Sequence, residues 1–426
     1  MSFWRSAAAL GLAFCLASAN AGATSASLFG IGPRSRALAG AGLSQDLGYE
    51  AAFANPAALS LATTTSLSAG YDVTSSWLYL QREGSPEQRF EADPLTGAEL
   101  GFTLPFELCS QRLVLGFASL SPGGSVARAE LPLAEVPQFP VLLSRQRAVD
   151  FDLALGVRPF QFLALGLGVR ALSSLTGTAQ VERRKTTTTT RVSDSLEPVL
   201  APVVGVSAFF GPATTLALAL RTPLRADFDI QLDAVDLGAT QLPPLNLAGV
   251  AHYDPLTVQA ELSRRAGRLE GMVGAAYQRF RDTPTLLPRT VSCPVDRPDC
   301  LALAAEPPHF HDTVDLHVAL TLALPLTADA TGKLRAGYAF APSPVPAQTG
   351  PSNLLDNARH RLALGYGLAL TKPLPPIDVD CALSLDELVR RTSRKQPGIA
   401  TDNAGAPALS TRGRIVGFSL GLTVKL

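Results

Sequence analysis

Aromatic residues make up only 7% of the chain and charged residues only 17%, against 46% hydrophobic. So little charge is unusual for a soluble protein of 426 residues. Lys+Arg and Asp+Glu are both 36, so no global field draws in nucleic acid or an acidic partner. Five histidines leave little material for a metal centre. A long apolar helix is also missing. The best candidate, Pro198 to Leu220, carries no charge but is broken by Pro198, Pro202 and Pro212, with Gly211-Pro212 as a turn signal. It suits two strands and a tight turn better than a helix of the ~20 residues needed to cross a bilayer.

What is present is period-two alternation. Val416, Phe418, Leu420, Leu422, Val424 and Leu426 share one face of the last strand, with Gly417, Ser419, Gly421, Thr423 and Lys425 opposite. Leu163, Leu165, Leu167 and Val169 oppose Ala164, Gly166, Gly168 and Arg170. The run Val314 to Leu324 and the run Leu362 to Leu370 repeat the pattern. An apolar face backed by small or polar residues suits a wall between lipid and water.

The start of the chain, with Arg5, an apolar stretch from Ala7 to Ala17 and Ala19-Asn20-Ala21, reads as a signal peptide over 1–21. The rival reading, a lipoprotein site at Leu12 to Cys15, puts bulky Phe14 where a small residue is wanted. Short links at Glu107 to Gln111, Arg158 to Gln161, Gly211-Pro212, Asp254-Pro255 and Leu326 to Gly332 alternate with long ones at 121–146, 182–197, 282–310, 342–357 and 389–410. Short periplasmic turns and long outer loops are the asymmetry of outer-membrane barrels. The expected fold is all-β: a transmembrane antiparallel barrel over 63–426. It has fourteen strands if Leu256 to Phe280 counts as one, and that segment is long, with Arg264, Arg265 and Arg268 in its middle. Residues 22–62, rich in small side chains, form either a plug inside the barrel or a periplasmic tail.

Several groups invite chemistry. Cys293 and Cys300 bracket a Pro-rich loop, and in an exported protein a disulfide is favoured over a metal site. Gly417-Phe418-Ser419-Leu420-Gly421 has the spacing of a hydrolase elbow, but it lies in a regular strand with no helix after it. His309-Phe310-His311-Asp312 lacks further ligands nearby. Arg183-Arg184-Lys185 reads as a solvated outer loop, with contact to lipopolysaccharide as the alternative. Strand phase points Glu99, Asp150, Asp152, Glu261 and Asp315 inward, together with Arg170, Arg221, Arg335 and Lys425. Such charges hydrogen-bond a plug and one another. Alternatively Arg170, Arg221 or Arg335 receives a ligand carboxylate, which a guanidinium holds bidentately.

Two motifs resemble the FadL-type outer-membrane transporters of long-chain fatty acids and other hydrophobic compounds. The first is Gly30-Ile31-Gly32, then Arg36 to Gly42, then Asn55-Pro56-Ala57-Ala58-Leu59, similar to that family's glycine-rich N-terminal hatch. The second is Arg335 to Phe340 leading into Ser343-Pro344-Val345-Pro346, then Asp356, Arg359 and His360, similar to its late strand–loop–strand unit. The resemblance implies a 14-stranded barrel plugged by its N-terminus, passive uptake of a hydrophobic ligand, no cofactor and no catalysis. A hydrophobic ligand needs an apolar pocket, for which Leu28, Phe29, Ile31 and Phe53 on the hatch are the candidates. Asn55 would bond the hatch turn, Pro56 fix its backbone and Ala57 allow close packing, while residues 342–357 help capture ligand. Expected partners are a hydrophobic small molecule, outer-membrane lipid and lipopolysaccharide, and the barrel assembly machinery, with the protein a monomer. A general porin for polar solutes and a barrel scaffold for assembly or secretion are the competing readings.

Overall fold

The computed structural model describes residues 29–123, 128–129, 135–142, 146–147, 149–184, 187–235, 245–285, 308–372 and 375–426. The signal segment, Leu28 and the Cys293–Cys300 pair lie outside them, as do the side chains of Arg183, Arg184 and Lys185.

Fourteen strands close an antiparallel barrel. β1 (Ser66–Arg82) carries a short β2 (Gln88–Phe90) on its outer end and then pairs with β3 (Leu95–Leu108). β4 (Gln111–Pro122) follows by a tight turn. A small separate ladder of β5 (Arg128–Ala129) and β6 (Gln146–Arg147) precedes β7 (Asp150–Phe160). β8 (Leu163–Arg184), β9 (Thr187–Phe210) and β10 (Thr214–Arg221) continue the wall. β11 (Leu224–Val235) and β12 (Leu245–Asp254) then leave it as a hairpin, with β11 running parallel to the outer part of β8. The wall resumes with β13 (Thr257–Ala266), which pairs directly with β10. β14 (Leu269–Gln278), β15 (Thr313–Thr327), β16 (Ala330–Ala341), β17 (Arg359–Leu370), β18 (Ile377–Arg394) and β19 (Ala408–Lys425) complete it. β19 closes on β1, from Ser66 opposite Lys425 to Arg82 opposite Leu409.

The alternation in the sequence is the alternation of the wall. Leu362, Leu364, Phe418, Leu420 and Leu422 point outward and are exposed, as are their counterparts on β7, β10 and β15. A continuous apolar band of this kind is stable only against lipid. No helix among the described residues is long and apolar enough to cross a membrane, so the strands do the spanning.

The segment Leu256 to Phe280 is two strands, not one. β13 and β14 reverse at Gly267, whose φ of 60° suits a tight turn, and Arg264, Arg265 and Arg268 cluster there on the short-turn side, in water rather than lipid. Asp254-Pro255 is correspondingly not a short periplasmic turn; it lies on the long-loop side, where β12 hands over to β13. The total stays at fourteen because β11 and β12 stand outside the wall.

Residues 29–62 fold inside the lumen as short helical turns: α1 (Pro33–Ala37), α2 (Ala51–Ala54) and 3-10 turns at Gly48–Glu50 and Pro56–Leu61. Lumen-facing glycines make room for them. A Cβ at Gly205 would stand 2.0 Å from Asn55 Oδ1, and one at Gly166 2.2 Å from the Ala57 nitrogen. The main buried cluster joins this hatch (Ile31, Leu38, Leu43, Leu47, Phe53, Leu59) to the inner faces of β4, β7, β10, β14 and β15.

Candidate functional site

The hatch is tied to the wall chiefly by wall carboxylates that accept from its backbone amides and pair with its side chains. Glu99 on β3 accepts from Gly32 N at 2.8 Å and from the Tyr49 hydroxyl at 2.9 Å. Glu261 on β13 accepts from Gly42 N at 2.6 Å and from Ser44 N and Oγ at 3.1 and 2.6 Å. Within the hatch, Glu50 accepts from Arg34 N and Ser35 N at the open start of α1. Burial pushes the Glu50 carboxyl up to about 8, against the opposing pull of Arg34 and those two amides. Arg36 pairs with Asp72 on β1 at 2.6 Å, and Arg34 with Asp378 and Asp380 on β18.

Above this floor lies a cavity of about 180 Å³. Its apolar wall includes Phe29, Phe53, Val141, Val250, Phe280 and Phe310. Its polar wall includes Arg221, His252, Gln259, Asp315, His317 and Arg359. The floor is Ala39, Gly40, Ala41 and Leu43 of the hatch. Ala39, Gly40 and Gly42 have φ of 54°, 90° and 109°, a left-handed run that the surroundings must hold in place. Gln259 donates to Gly40 O at 2.8 Å and Glu261 grips Gly42 and Ser44, so β13 supplies that hold.

The predicted residues divide. Phe29, Phe53, Arg221 and Pro344 line the cavity. Phe53 lies between two guanidinium groups, Arg170 and Arg221, each 4.9 Å from the ring centroid. Arg170 is committed to Asp150, Asp152 and Asp254, and Arg335 to Asp380 at 2.8 Å; neither lines the cavity. Arg221 has no carboxylate at ion-pair distance among the described residues, and neither has the cavity's Arg359. Ile31 is wholly buried in the hatch core. Asn55 caps the 3-10 turn by accepting from Ala57 N at 3.1 Å, and donates to Leu43 O at 2.7 Å and to Ser207 Oγ on β9 at 3.1 Å. Pro56 and Ala57 press against the glycines of β7, β8 and β9, away from the cavity.

The loop 342–357 forms part of the rim. Arg391 on β18 donates to Ser343 Oγ, Val345 O and Asp356 O, and Gln348 donates to Pro346 O. Val345 packs with Phe310 and Leu354. Sequence reasoning missed Glu50, His252, Asp254 and Arg359 as site residues. The one available signal was Glu50, one of two acids, with Asp46, in a segment rich in small residues. Ser419 stands on the inner face of a regular strand, and no metal-binding cluster occurs among the described residues.

These features define a class: an outer-membrane β-barrel whose lumen holds its own N-terminal segment, the fold of the FadL-type transporters. The chain is similar over 92% of its length to a Pseudomonas aeruginosa FadL homologue (97% of that chain, 13% identity, TM-score 0.62). It is also similar to the P. putida toluene transporter TodX (94% and 99% covered, 14% identity, TM-score 0.59) and the Ralstonia pickettii toluene transporter TbuX (92% and 98%, 14%, 0.54). No protein-family model and no curated protein sequence matches the chain.

Proposed function

We propose that the protein is a passive channel that takes up hydrophobic small molecules across the outer membrane, gated by residues 29–62. The observation that carries this reading is the make-up of the cavity: phenylalanine rings and the guanidinium groups of Arg221 and Arg359, over a floor made by the hatch itself. Such a site takes an amphipathic molecule, its apolar body against Phe53, Phe280 and Phe310 and a carboxylate on Arg221 or Arg359. A cavity of about 180 Å³ is close to the ~150 Å³ that accommodates benzene, so a long acyl chain would extend beyond it. A long-chain fatty acid is the default substrate. The toluene transporters that share the fold support transport of hydrophobic compounds in general.

In this reading, ligand passes the rim formed by residues 342–357, fills the cavity, and leaves when the left-handed floor at 39–42 shifts. A general porin is disfavoured, because the hatch occupies the lumen that polar solutes would need. No step makes or breaks a covalent bond. The test is uptake of radiolabelled oleate and of labelled toluene by cells lacking their own hydrophobic channel, with and without this protein. Uptake of either supports the channel, and the preferred label sets the substrate class. Uptake of neither by cells with folded, surface-exposed barrel overturns it.

A further inference from the structure

One quadrant of the outer wall carries guanidinium groups directly above the lipid-facing band. On β19 the exposed apolar residues Leu422, Leu420 and Phe418 give way, past Val416, to Arg414 and Arg412. The strand register places Arg414 level with Trp77 on β1 and Glu387 on β18. One row further out, Arg412 is level with Tyr79 on β1, which in turn faces Arg89 on β2. Arg412 also stands 5.0 Å over the Tyr79 ring. Arg390 and Arg394 of β18 extend the patch, reaching Gln81 and Glu83. Three of these five guanidinium groups pair with carboxylates: Arg394 with Glu83, Arg412 with Glu87 and Arg414 with Glu387. Arg394, Arg412 and Arg414 are half to two-thirds exposed even while paired. Elsewhere among the described residues, β7 and β10 reach their outer ends on exposed Phe151 and Leu220 instead.

We propose that the outward faces of β1, β2, β18 and β19 bind the phosphate groups of the outer-leaflet glycolipid. The level is that of the lipid headgroups, marked by Trp77 and Tyr79, since amphipathic rings concentrate at membrane interfaces. Arginine forks match phosphate oxygens bidentately, and rows on adjacent strands ~4.8 Å apart present several forks to one headgroup. Exposed arginine–carboxylate pairs contribute little, so the guanidinium groups re-pair with phosphate readily. The glutamates hold them spread until they do. The site is independent of what the channel carries.

The test uses the full-length protein in detergent micelles, titrated with bisphosphorylated lipid A, with dephosphorylated lipid A and with phosphatidylglycerol. Binding is read by native mass spectrometry. The expected result is at least tenfold preference for bisphosphorylated over dephosphorylated lipid A. In R412Q/R414Q that preference falls at least fivefold, with heat-modifiable migration on gels unchanged. Equal binding of the two lipid A forms by the wild-type protein overturns the proposal without any variant, and so does equal binding of phosphatidylglycerol.

Discussion

Asn55 is fully buried and makes three hydrogen bonds, one as a cap and two that tie the hatch to itself and to β9. Asn55→Ala removes the cap and leaves Leu43 O without this donor, a combined cost of about 2 kcal/mol. Hydrogen exchange should report it as lost protection across 29–62 while the wall strands keep theirs. Arg221 is a different kind of residue, since its guanidinium lines the cavity and stacks over Phe53. Arg221→Met is expected to weaken binding of a carboxylate ligand by about tenfold, the lower end for a charged hydrogen bond. Binding of a neutral hydrocarbon should be unchanged; fluorescence displacement with a fatty acid and with an alkylbenzene separates the two. Phe53 and Arg221 were legible because a bulky aromatic in a small-residue segment and strand phase each point inward. His252, Asp254 and Arg359 were not, because they converge from the end of β12 and the start of β17, and no local pattern records that meeting.

At the scale of elements, the hatch fits because glycines on β8 and β9 leave room for the Asn55-Pro56-Ala57 turn. Gly205→Leu puts four heavy atoms where Asn55 Oδ1 already stands. The expected outcome is a displaced hatch in an intact barrel: raised single-channel conductance in planar bilayers with normal heat-modifiability. The loop 342–357 carries its own pH dependence. Burial raises the Asp356 carboxyl from 3.8 to about 6, against the pull of Arg359. A raised carboxyl favours the protonated fold, so its contribution is complete below about 3.8 and is lost as pH rises through about 6. Residues 343–357 should therefore exchange more slowly at pH 5 than at pH 8 after correction for intrinsic rates, and Asp356→Asn should abolish the difference. Most wall strands could be read directly because lipid on one face and a filled lumen on the other enforce period two. The stretch from 222 to 280 could not, because the pairing of β10 with β13 across an excursion of two strands is fixed by barrel closure and leaves no mark in the alternation.

For the molecule as a whole, a rigid wall and a hatch held by side-chain bonds suggest a division of labour. The inward-facing carboxylates of Glu99 and Glu261 accept specific hatch groups, and the strands that carry them pair along their length. In the proposed channel the hatch is the gate, and ligand passage requires it to move. Gln45 of the hatch and Thr321 of β15 meet at 3.2 Å. In a background with Cys109 and Cys381 replaced by serine, Gln45→Cys and Thr321→Cys can be joined by a short, reducible thiol cross-linker. Uptake of labelled oleate or toluene, whichever the native protein transports, should stop when the hatch is joined to the wall and return on reduction. Undiminished uptake with the cross-link complete would contradict a moving hatch and leave the barrel without its proposed gate.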